Sequence, residues 1–318
     1  MAHIQREFSH IAFSVAAFLF IVYSVVYAQG VYDGPNVAAN KDSVQQMPIP
    51  TNPKLPTLFL IGDSTVRNGR GDGANGQWGW GEPLVNYFDL TKINVVNRAL
   101  GGRSSRTYLT QGHWDAVKQI LKRGDFVMMQ FGHNDGGPLD DTARARGTLP
   151  GVGDETREID NPITKQHEIV HTFGWYLKKF IAETRAAGAT PIVCSFIPRK
   201  IWKDGKIASP DDYGKWASEV AASEGALFID LNQIIAQRYD LLGPEKVEPL
   251  FGDEHTHTSR AGAELNAQCV IAGLKDLRHD PLKKYFSPLG KKTAETQERA
   301  LAMKTFQDVL QYKIYFLK

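Results

Sequence analysis

The chain has 318 residues, of which 42% are hydrophobic and 23% are charged, a composition typical of a globular protein with material for a sizeable core. Lysine and arginine together number 37 and aspartate and glutamate 35, so the formal net charge is only +2. This balance excludes a general electrostatic affinity for nucleic acid, and any recognition of anions must be local. The length is that of a single α/β domain with inserted loops.

The N-terminal segment has the pattern of an export signal. Arg6 precedes an apolar stretch from Ile11 to Ala28 that contains no charged residue, and Val26-Tyr27-Ala28 places small residues where a signal peptidase cleaves. We therefore expect residues 1–28 to be a cleaved signal peptide and the protein to be exported, to the periplasm or outside the cell. The alternative is an uncleaved membrane anchor, because the stretch is near the minimum length that spans a bilayer.

Residues 29–56 are rich in proline, glycine and asparagine and are predicted to form a linker to a domain at 57–280. In that domain, short apolar runs alternate with amphipathic segments. The runs are Leu58–Gly62, Asn94–Ala99, Phe126–Phe131, Pro191–Phe196 and Leu227–Asp230; the predicted helices are Gly112–Lys122, His171–Ala187, Asp212–Glu224 and one after Thr258. Continuous apolar runs are typical of parallel strands covered on both faces. The alternation predicts an α/β fold with three layers, α/β/α.

Three further segments have no place in this alternation. The stretch Gly136–Ile163 is loop-like, and a loop of that length is usually functional or disordered. Residues 281–318 are predicted to form a C-terminal helical extension, with a helical pattern at Thr293–Phe306. The two cysteines, Cys194 and Cys269, cannot form a disulfide scaffold, and we expect buried free thiols rather than one bridge.

Chemically capable residues follow the first three predicted strands, where open parallel sheets bind ligands. Gly62-Asp63-Ser64-Thr65 places a serine hydroxyl at a strand-to-helix turn, close to backbone N–H groups, as a nucleophile requires. Gly101-Gly102 lets the backbone approach a ligand closely, and Gly132-His133-Asn134-Asp135 offers a neutral amide donor. Each block alone is also ordinary turn chemistry.

A fourth block, Asp253-Glu254-His255-Thr256-His257, precedes the last predicted helix. A carboxylate that fixes the tautomer of His257 would let the other ring nitrogen accept a proton from serine. Both Glu254 and Asp253 are close enough in sequence. On the three-residue spacing we predict Glu254 as this acid rather than Asp253.

Together the four blocks resemble the SGNH, or GDSL-type, hydrolase family, whose pattern is Gly-Asp-Ser, a glycine, Gly-x-Asn-Asp and acid-x-x-His. Further segments are similar to its rhamnogalacturonan acetylesterase branch: Gly62–Val66, Gly79-Trp80-Gly81, Gly102-Arg103-Ser104, Asn161-Pro162-Ile163 leading to His171, and His255–Ser259. The resemblance implies a flavodoxin-like five-stranded parallel sheet and removal of acetyl groups from pectic polysaccharide, with no metal and no cofactor. The family usually has aspartate where this chain has Glu254.

The resemblance also implies a role for each matching residue. Ser64 is expected to be the nucleophile and His257 its base. The oxyanion donors are expected to be the Ser64 amide, Gly102 and Asn134.

Substrate contacts are predicted from polarity and shape. Pectin carries carboxylates, and Arg98, Arg103 and Arg106 flank the glycine block, where a guanidinium could bind them; a structural role is the alternative. Trp78 and Trp80 could stack on sugar faces or belong to the core. The candidate substrate contacts are Arg103, Trp80, His133 and His255.

Three other functions stay open at this stage. Another acetylated carbohydrate, such as xylan, could be the substrate. His255 and His257, with Asp253, Glu254 and His133, could instead ligate zinc in a metal-dependent hydrolase. An exported carbohydrate-binding protein could keep the fold without the activity.

Overall fold

The computed structural model describes residues 47–67, 76–208 and 212–293; the predicted signal peptide, most of the predicted linker and the helical pattern beyond Thr293 lie outside these residues. Within the described residues, the strands are β1 Thr57–Gly62, β2 Asn94–Asn97, β3 Phe126–Gln130, β4 Thr156–Asp160, β5 His167–His171, β6 Thr190–Cys194, β7 Trp202–Lys203, β8 Lys206–Ile207 and β9 Leu227–Ile229. The helices are α1 Gly81–Leu84, α2 Ser105–Thr110, α3 His113–Lys118, α4 Phe173–Ala186, α5 Asp212–Ser223, α6 Leu231–Leu242, α7 Pro244–Val247 and α8 Arg260–Asp276.

Five strands form a parallel sheet in the order β2-β1-β3-β6-β9, which is the flavodoxin-like order. All five predicted strands are confirmed within one to two residues at each end. The register pairs Gly62 at the end of β1 with Gln130 at the end of β3. The loops that follow these strands therefore leave the sheet side by side.

Side chains alternate between two buried clusters on the two faces of the sheet. On β1, Leu58 and Leu60 belong to one cluster and Phe59 and Ile61 to the other. Residues of α1, α6 and α8 complete the first cluster, and residues of α2 to α5 complete the second. Because both faces are covered, β1 has no polar face, and the predicted three-layer α/β/α sandwich is confirmed.

The longer helices begin where the sequence provides a polar cap. The side chains of Thr172, Asp230 and Ser259 accept backbone N–H groups at the starts of α4, α6 and α8. The first two of these helices follow a strand closely and return the chain along the sheet. Among the described residues, no helix is long and apolar enough to cross a membrane.

The predicted loop at 136–163 contains the strand β4, which pairs with β5 in an antiparallel hairpin. Arg106 on α2 binds this hairpin: its side chain is fully buried and forms two hydrogen bonds of 2.7 Å with the Glu168 carboxylate on β5. Its third nitrogen donates to the carbonyls of Leu139 and Gly147 in the preceding loop. One guanidinium thus joins the helix after β2, the loop and the hairpin.

Packed structure extends beyond both ends of the predicted domain. Residues 47–56 contact β2, where the Asn94 side chain accepts the Asn52 N–H at 3.0 Å. Residues 281–293 return to the turn that follows α1, with Phe286 buried against Phe88. Cys194 and Cys269 form no disulfide and are buried in the core, as expected.

We predict that Arg106→Gln lowers the free energy of unfolding by about 3–5 kcal/mol, because it leaves the partly buried Glu168 carboxylate without its cationic partner. Urea denaturation of the purified protein measures the change. Arg157→Gln, on the exposed strand β4 of the same hairpin, is the matched control and should shift stability by less than about 0.5 kcal/mol. Equal effects of the two substitutions would contradict this role of Arg106.

Candidate active site

Ser64 and His257 meet above the carboxyl ends of the parallel strands. Ser64 lies two residues beyond β1, and His257 lies three residues before α8. The Ser64 hydroxyl is 2.8 Å from Nε2 of His257, a hydrogen bond that joins residues 193 positions apart in the chain. The pair is only partly buried, so a substrate can reach it from solvent.

Asp253, and not Glu254, binds the other nitrogen of the ring. Nδ1 of His257 lies 2.5 Å from Oδ2 of Asp253. Glu254 is exposed, and its carboxylate makes no hydrogen bond within the part of the chain that the structure describes. The expected pairing of His257 with Glu254 is therefore corrected to Asp253, four residues before the histidine.

The physical reason is the turn that Asp253 itself organises. Its Oδ1 accepts the backbone N–H groups of His255, Thr256 and His257 at 3.1, 2.7 and 2.9 Å. These bonds curl the segment around the Asp253 carboxylate and leave Oδ2 facing the imidazole. The spacing of residues along the sequence does not reveal such a turn, because a prediction from spacing assumes a regular backbone.

The same bonds control the charge of Asp253. Burial raises the pKa of the Asp253 carboxyl, but hydrogen bonds from the His257 backbone, the His257 ring and the Thr256 backbone outweigh it and lower the pKa below its usual value. The carboxylate is therefore ionised at neutral pH. An ionised carboxylate on Nδ1 stabilises the imidazolium that forms when Nε2 takes a proton.

A relay of buried hydrogen bonds holds the turn that carries Ser64. The Trp80 indole donates to the Gln130 side chain at 2.7 Å, and the Gln130 amide donates to the Thr65 hydroxyl at 2.7 Å. The Thr65 hydroxyl and backbone N–H both donate to Oδ1 of buried Asp63, at 2.7 and 2.8 Å. Ser64 lies between Asp63 and Thr65, so these buried hydrogen bonds fix the position of its backbone.

Three side chains clamp the backbone of the loop after β2. The carbonyl oxygens of Gly101, Gly102 and Arg103 accept hydrogen bonds from the Arg103 guanidinium, the Arg146 guanidinium and the Asn134 amide, at 3.0, 2.9 and 2.8 Å. Gly102 has φ of +75°, which favours glycine. In a planar trans peptide the N–H points opposite to the carbonyl. The Gly102 N–H therefore points away from the Arg103 guanidinium that binds the Gly101 carbonyl.

Two backbone N–H groups near the Ser64 hydroxyl have no acceptor among the described residues. Within the described residues, neither the Ser64 N–H nor the Gly102 N–H donates a hydrogen bond to the protein. Buried or half-buried backbone N–H groups are nearly always paired in folded proteins. Unpaired N–H groups beside a serine nucleophile are what an oxyanion hole requires.

The arginines that were expected to bind substrate are structural. Arg103 is buried, and besides the Gly101 carbonyl it contacts the His113 ring at 3.4 Å. Arg98 is buried and donates to the Pro48 carbonyl, and Arg106 is paired with Glu168. None of the three offers its guanidinium to a sugar, because each is buried and bonded to the protein.

Trp80 is also corrected from a sugar contact to a core residue. It is 1% exposed, and its indole N–H is used in the bond to Gln130. Trp78 is half-buried, and its backbone forms two hydrogen bonds with Thr258, the residue after His257. Trp78 thus anchors the histidine turn, and Arg260 lies over its ring.

The two remaining candidate contacts differ. Both ring nitrogens of His133 are buried without a partner among the described residues, and the ring packs edge-on against Phe196 at 4.7 Å between centroids. Burial lowers the pKa of His133 to about 4, so the ring is neutral at pH 7, and its contact with substrate stays a prediction. His255 is half-buried, with Nδ1 2.6 Å from the Thr256 hydroxyl; its contact with substrate stays a prediction.

The ligand set of the metal-dependent alternative is not assembled in the described residues, where no three His, Cys, Asp or Glu side chains come together to hold an ion. Moreover, both nitrogens of His257 are engaged, one with Ser64 and one with Asp253. His257 is therefore placed for proton transfer and not for ligation.

Known proteins with similar sequences show which family this site belongs to. A model of the GDSL-like lipase/acylhydrolase family matches residues 60–265. The chain belongs to this family. Its members are ester hydrolases, so the chain is a carboxylic ester hydrolase, as the four sequence blocks predict.

Relatives within the family confirm the resemblance to the acetylesterase branch. The chain is 31% identical over 217 residues to the rhamnogalacturonan acetylesterase of Emericella nidulans, covering 68% of this chain and 83% of that protein. It is 30% identical to the probable rhamnogalacturonan acetylesterase YesY of Bacillus subtilis, covering 69% of this chain and 93% of that protein. The crystal structure of Bacillus subtilis YxiM superposes with a TM-score of 0.56 at 26% identity, over 70% of this chain and 56% of that one, so the match spans little more than half of YxiM.

Two residues of the site were not predicted from the sequence. Gln130 ends a strand and looked like part of the core, yet it carries the relay beneath Ser64. Arg146 lies in the long segment 136–163, which was expected to be either functional or disordered, and no residue in it was singled out. No local motif distinguishes Arg146 from Arg144 two positions earlier.

We predict that Asp253→Asn lowers kcat for a chromogenic acetate ester by roughly 10³–10⁴-fold. The amide oxygen can still accept the three backbone N–H groups, but the amide NH₂ then faces Nδ1 and puts the ring proton on Nε2, where it blocks proton acceptance from Ser64. Glu254→Gln is the control and should change kcat by less than about threefold, since surface substitutions perturb little. A larger loss in Glu254→Gln than in Asp253→Asn would return the role to Glu254.

Proposed function

We propose that this protein is a serine acetylesterase that removes acetyl groups from pectic polysaccharide of the rhamnogalacturonan type. The observation that carries the proposal is the continuous line of hydrogen bonds from Ser64 through His257 to Asp253, beside two unpaired backbone N–H groups. The names of the relatives from Emericella nidulans and Bacillus subtilis support the substrate class. An acetylated polysaccharide or oligosaccharide is thus the proposed binding partner.

The first half of the proposed reaction acylates the enzyme. The Ser64 hydroxyl attacks the acetyl carbonyl carbon while Nε2 of His257, 2.8 Å away, takes its proton. The carbonyl oxygen becomes an oxyanion and receives hydrogen bonds from the Ser64 and Gly102 N–H groups and from the second N–H of the Asn134 amide. His257 then gives its proton to the departing sugar hydroxyl.

The second half releases acetate. Water enters the place of the sugar hydroxyl, His257 removes its proton, and the oxygen attacks the acetyl-Ser64 ester. The same donors hold the second oxyanion, and collapse returns the proton from His257 to Ser64. No metal or cofactor takes part in the proposed steps.

Acetate release from a panel of acetylated polysaccharides tests this function. We expect acetylated rhamnogalacturonan to be hydrolysed with a higher kcat/KM than acetylated xylan, and Ser64→Ala to release no acetate while remaining folded. If acetylated xylan were hydrolysed with the higher kcat/KM, the proposed substrate class would be wrong, but the serine esterase mechanism would stand. Activity retained by Ser64→Ala would refute the serine mechanism, and failure of the native protein on every acetate ester would favour a binding protein.

Asn134→Ala separates the oxyanion role from folding. We expect kcat to fall roughly 10²–10³-fold, the usual loss on removing one side-chain oxyanion donor. Asn86→Ala, whose side chain is exposed at the far turn after α1, is the control and should leave kcat unchanged. If Asn134→Ala raised KM without changing kcat, Asn134 would bind substrate and not the oxyanion.

We also propose that the protein acts outside the cytoplasm. The support is the uncharged stretch Ile11–Ala28 and the residues Val26-Tyr27-Ala28 at its end. N-terminal sequencing of the mature protein from the native host should begin at Gln29. A mature chain that retained the apolar stretch would favour the membrane anchor.

A further inference from the structure

Arg146 stands out among the arginines near the active site because it is half-buried, whereas Arg98, Arg103 and Arg106 are buried. Its guanidinium is half-buried, and one nitrogen donates to the Gly102 carbonyl at 2.9 Å. Among the described residues, Arg146 forms no ion pair and no second hydrogen bond. A guanidinium carries five N–H donors, so most of its binding capacity is unused.

Arg146 stays positively charged although its surroundings lower its pKa. Burial, followed by the nearby charge of Arg144, lowers the pKa of Arg146 to about 10, while Asp63, Asp135 and Asp141 act in the opposite direction without bonding to it. The side chain is therefore still protonated at neutral pH. Burying a cation without a partner is costly, and such groups in proteins normally face a ligand or an opposite charge.

The backbone on both sides of Arg146 is fixed in place. Oδ2 of Asp141 accepts the Ala145 N–H at 2.9 Å, and Ala145 has φ of +41°, a strained value for a residue other than glycine. On the other side, the Arg106 guanidinium binds the Gly147 carbonyl at 2.8 Å. Strain that the surrounding structure maintains is common where a side chain must be presented to a ligand.

The position of Arg146 relates its ligand to the reaction. Gly102 offers its N–H to the expected oxyanion, and its carbonyl accepts a hydrogen bond from Arg146 at 2.9 Å, so the guanidinium lies against the residue expected to hold the oxyanion. We therefore expect a group bound by Arg146 to belong to the sugar that carries the acetyl ester or to its neighbour. A planar guanidinium is matched to a carboxylate, which it can bind with two parallel hydrogen bonds.

We propose that Arg146 is a specificity-determining residue that binds the carboxylate of a uronic acid in the substrate, at or beside the acetylated sugar. This inference rests on the proposed acetylesterase function and adds the substrate feature that the enzyme recognises. It replaces the three arginines expected from the sequence, all of which are turned into the protein. Neutral sugar esters lack the group that Arg146 binds.

The test compares an acetylated galacturonate-containing oligosaccharide with the same oligosaccharide after methyl esterification of its carboxyl groups. For the native protein we expect kcat/KM to be about 10- to 100-fold higher on the free acid, the effect expected from hydrogen bonds to a charged group. Arg146→Gln should bring this ratio close to one. Arg146→Lys, which keeps the charge but loses the bidentate geometry, should give an intermediate ratio.

The ratio separates recognition from any effect on the Gly102 loop, since damage to the loop lowers the rates on both oligosaccharides equally. Arg144→Gln is the matched control: it removes the same charge from an exposed position two residues away and should leave the ratio as in the native protein. An equal loss on both substrates in Arg146→Gln, or a native ratio near one, overturns the inference. In either case acetate release by the native protein would leave the proposed acetylesterase function standing, whereas no release from either oligosaccharide would count against both.

Discussion

The carboxylate of Asp253 is the group on which the active site depends. One of its oxygens accepts three successive backbone N–H groups, and the other binds the ring of His257. The first set of bonds shapes the turn, and the second orients the imidazole toward Ser64. A single side chain thus couples the local fold of the 253–257 segment to the protonation chemistry of the base. Backbone hydrogen bonds from Gly252 to the His257 carbonyl and between Trp78 and Thr258 also hold the segment, but among the described residues only Asp253 binds Nδ1 of the His257 ring.

The parallel sheet supplies the second constraint, since it brings distant loops to one edge. Ser64, Gly102 and Asn134 follow three adjacent strands, and hydrogen bonds between loops set their final positions. The Asn134 amide binds the Arg103 carbonyl, and the Asp135 carboxylate accepts the backbone N–H and the hydroxyl of Ser105. The loop after β2 is therefore held by side chains of the loop after β3, with the Asn134 amide on a carbonyl and the Asp135 carboxylate on a backbone N–H and a hydroxyl.

Sequence reasoning predicted the features that depend on local pattern. Continuous apolar runs located all five strands of the sheet, and the blocks at their ends located Ser64 and His257, which the structure joins. It misplaced features that depend on tertiary geometry. The turn around Asp253 shifted the acid from Glu254, and the inward direction of Arg103 and Trp80 is set by bonds to Gly101 and Gln130 that no periodicity reveals. The β4–β5 hairpin was missed because strand β4 is exposed and largely polar, without the apolar signal on which strand prediction relies.

The central claim is that Ser64 becomes a nucleophile because Asp253 and His257 activate it. The most direct measurement is to treat the protein with a serine-directed organophosphate and to locate the adduct by peptide mass spectrometry. We expect one phosphoryl group per chain, carried by Ser64, and much slower labelling in Asp253→Asn than in the native protein. An adduct on another residue, or labelling of Ser64 at the native rate in Asp253→Asn, would contradict the claim.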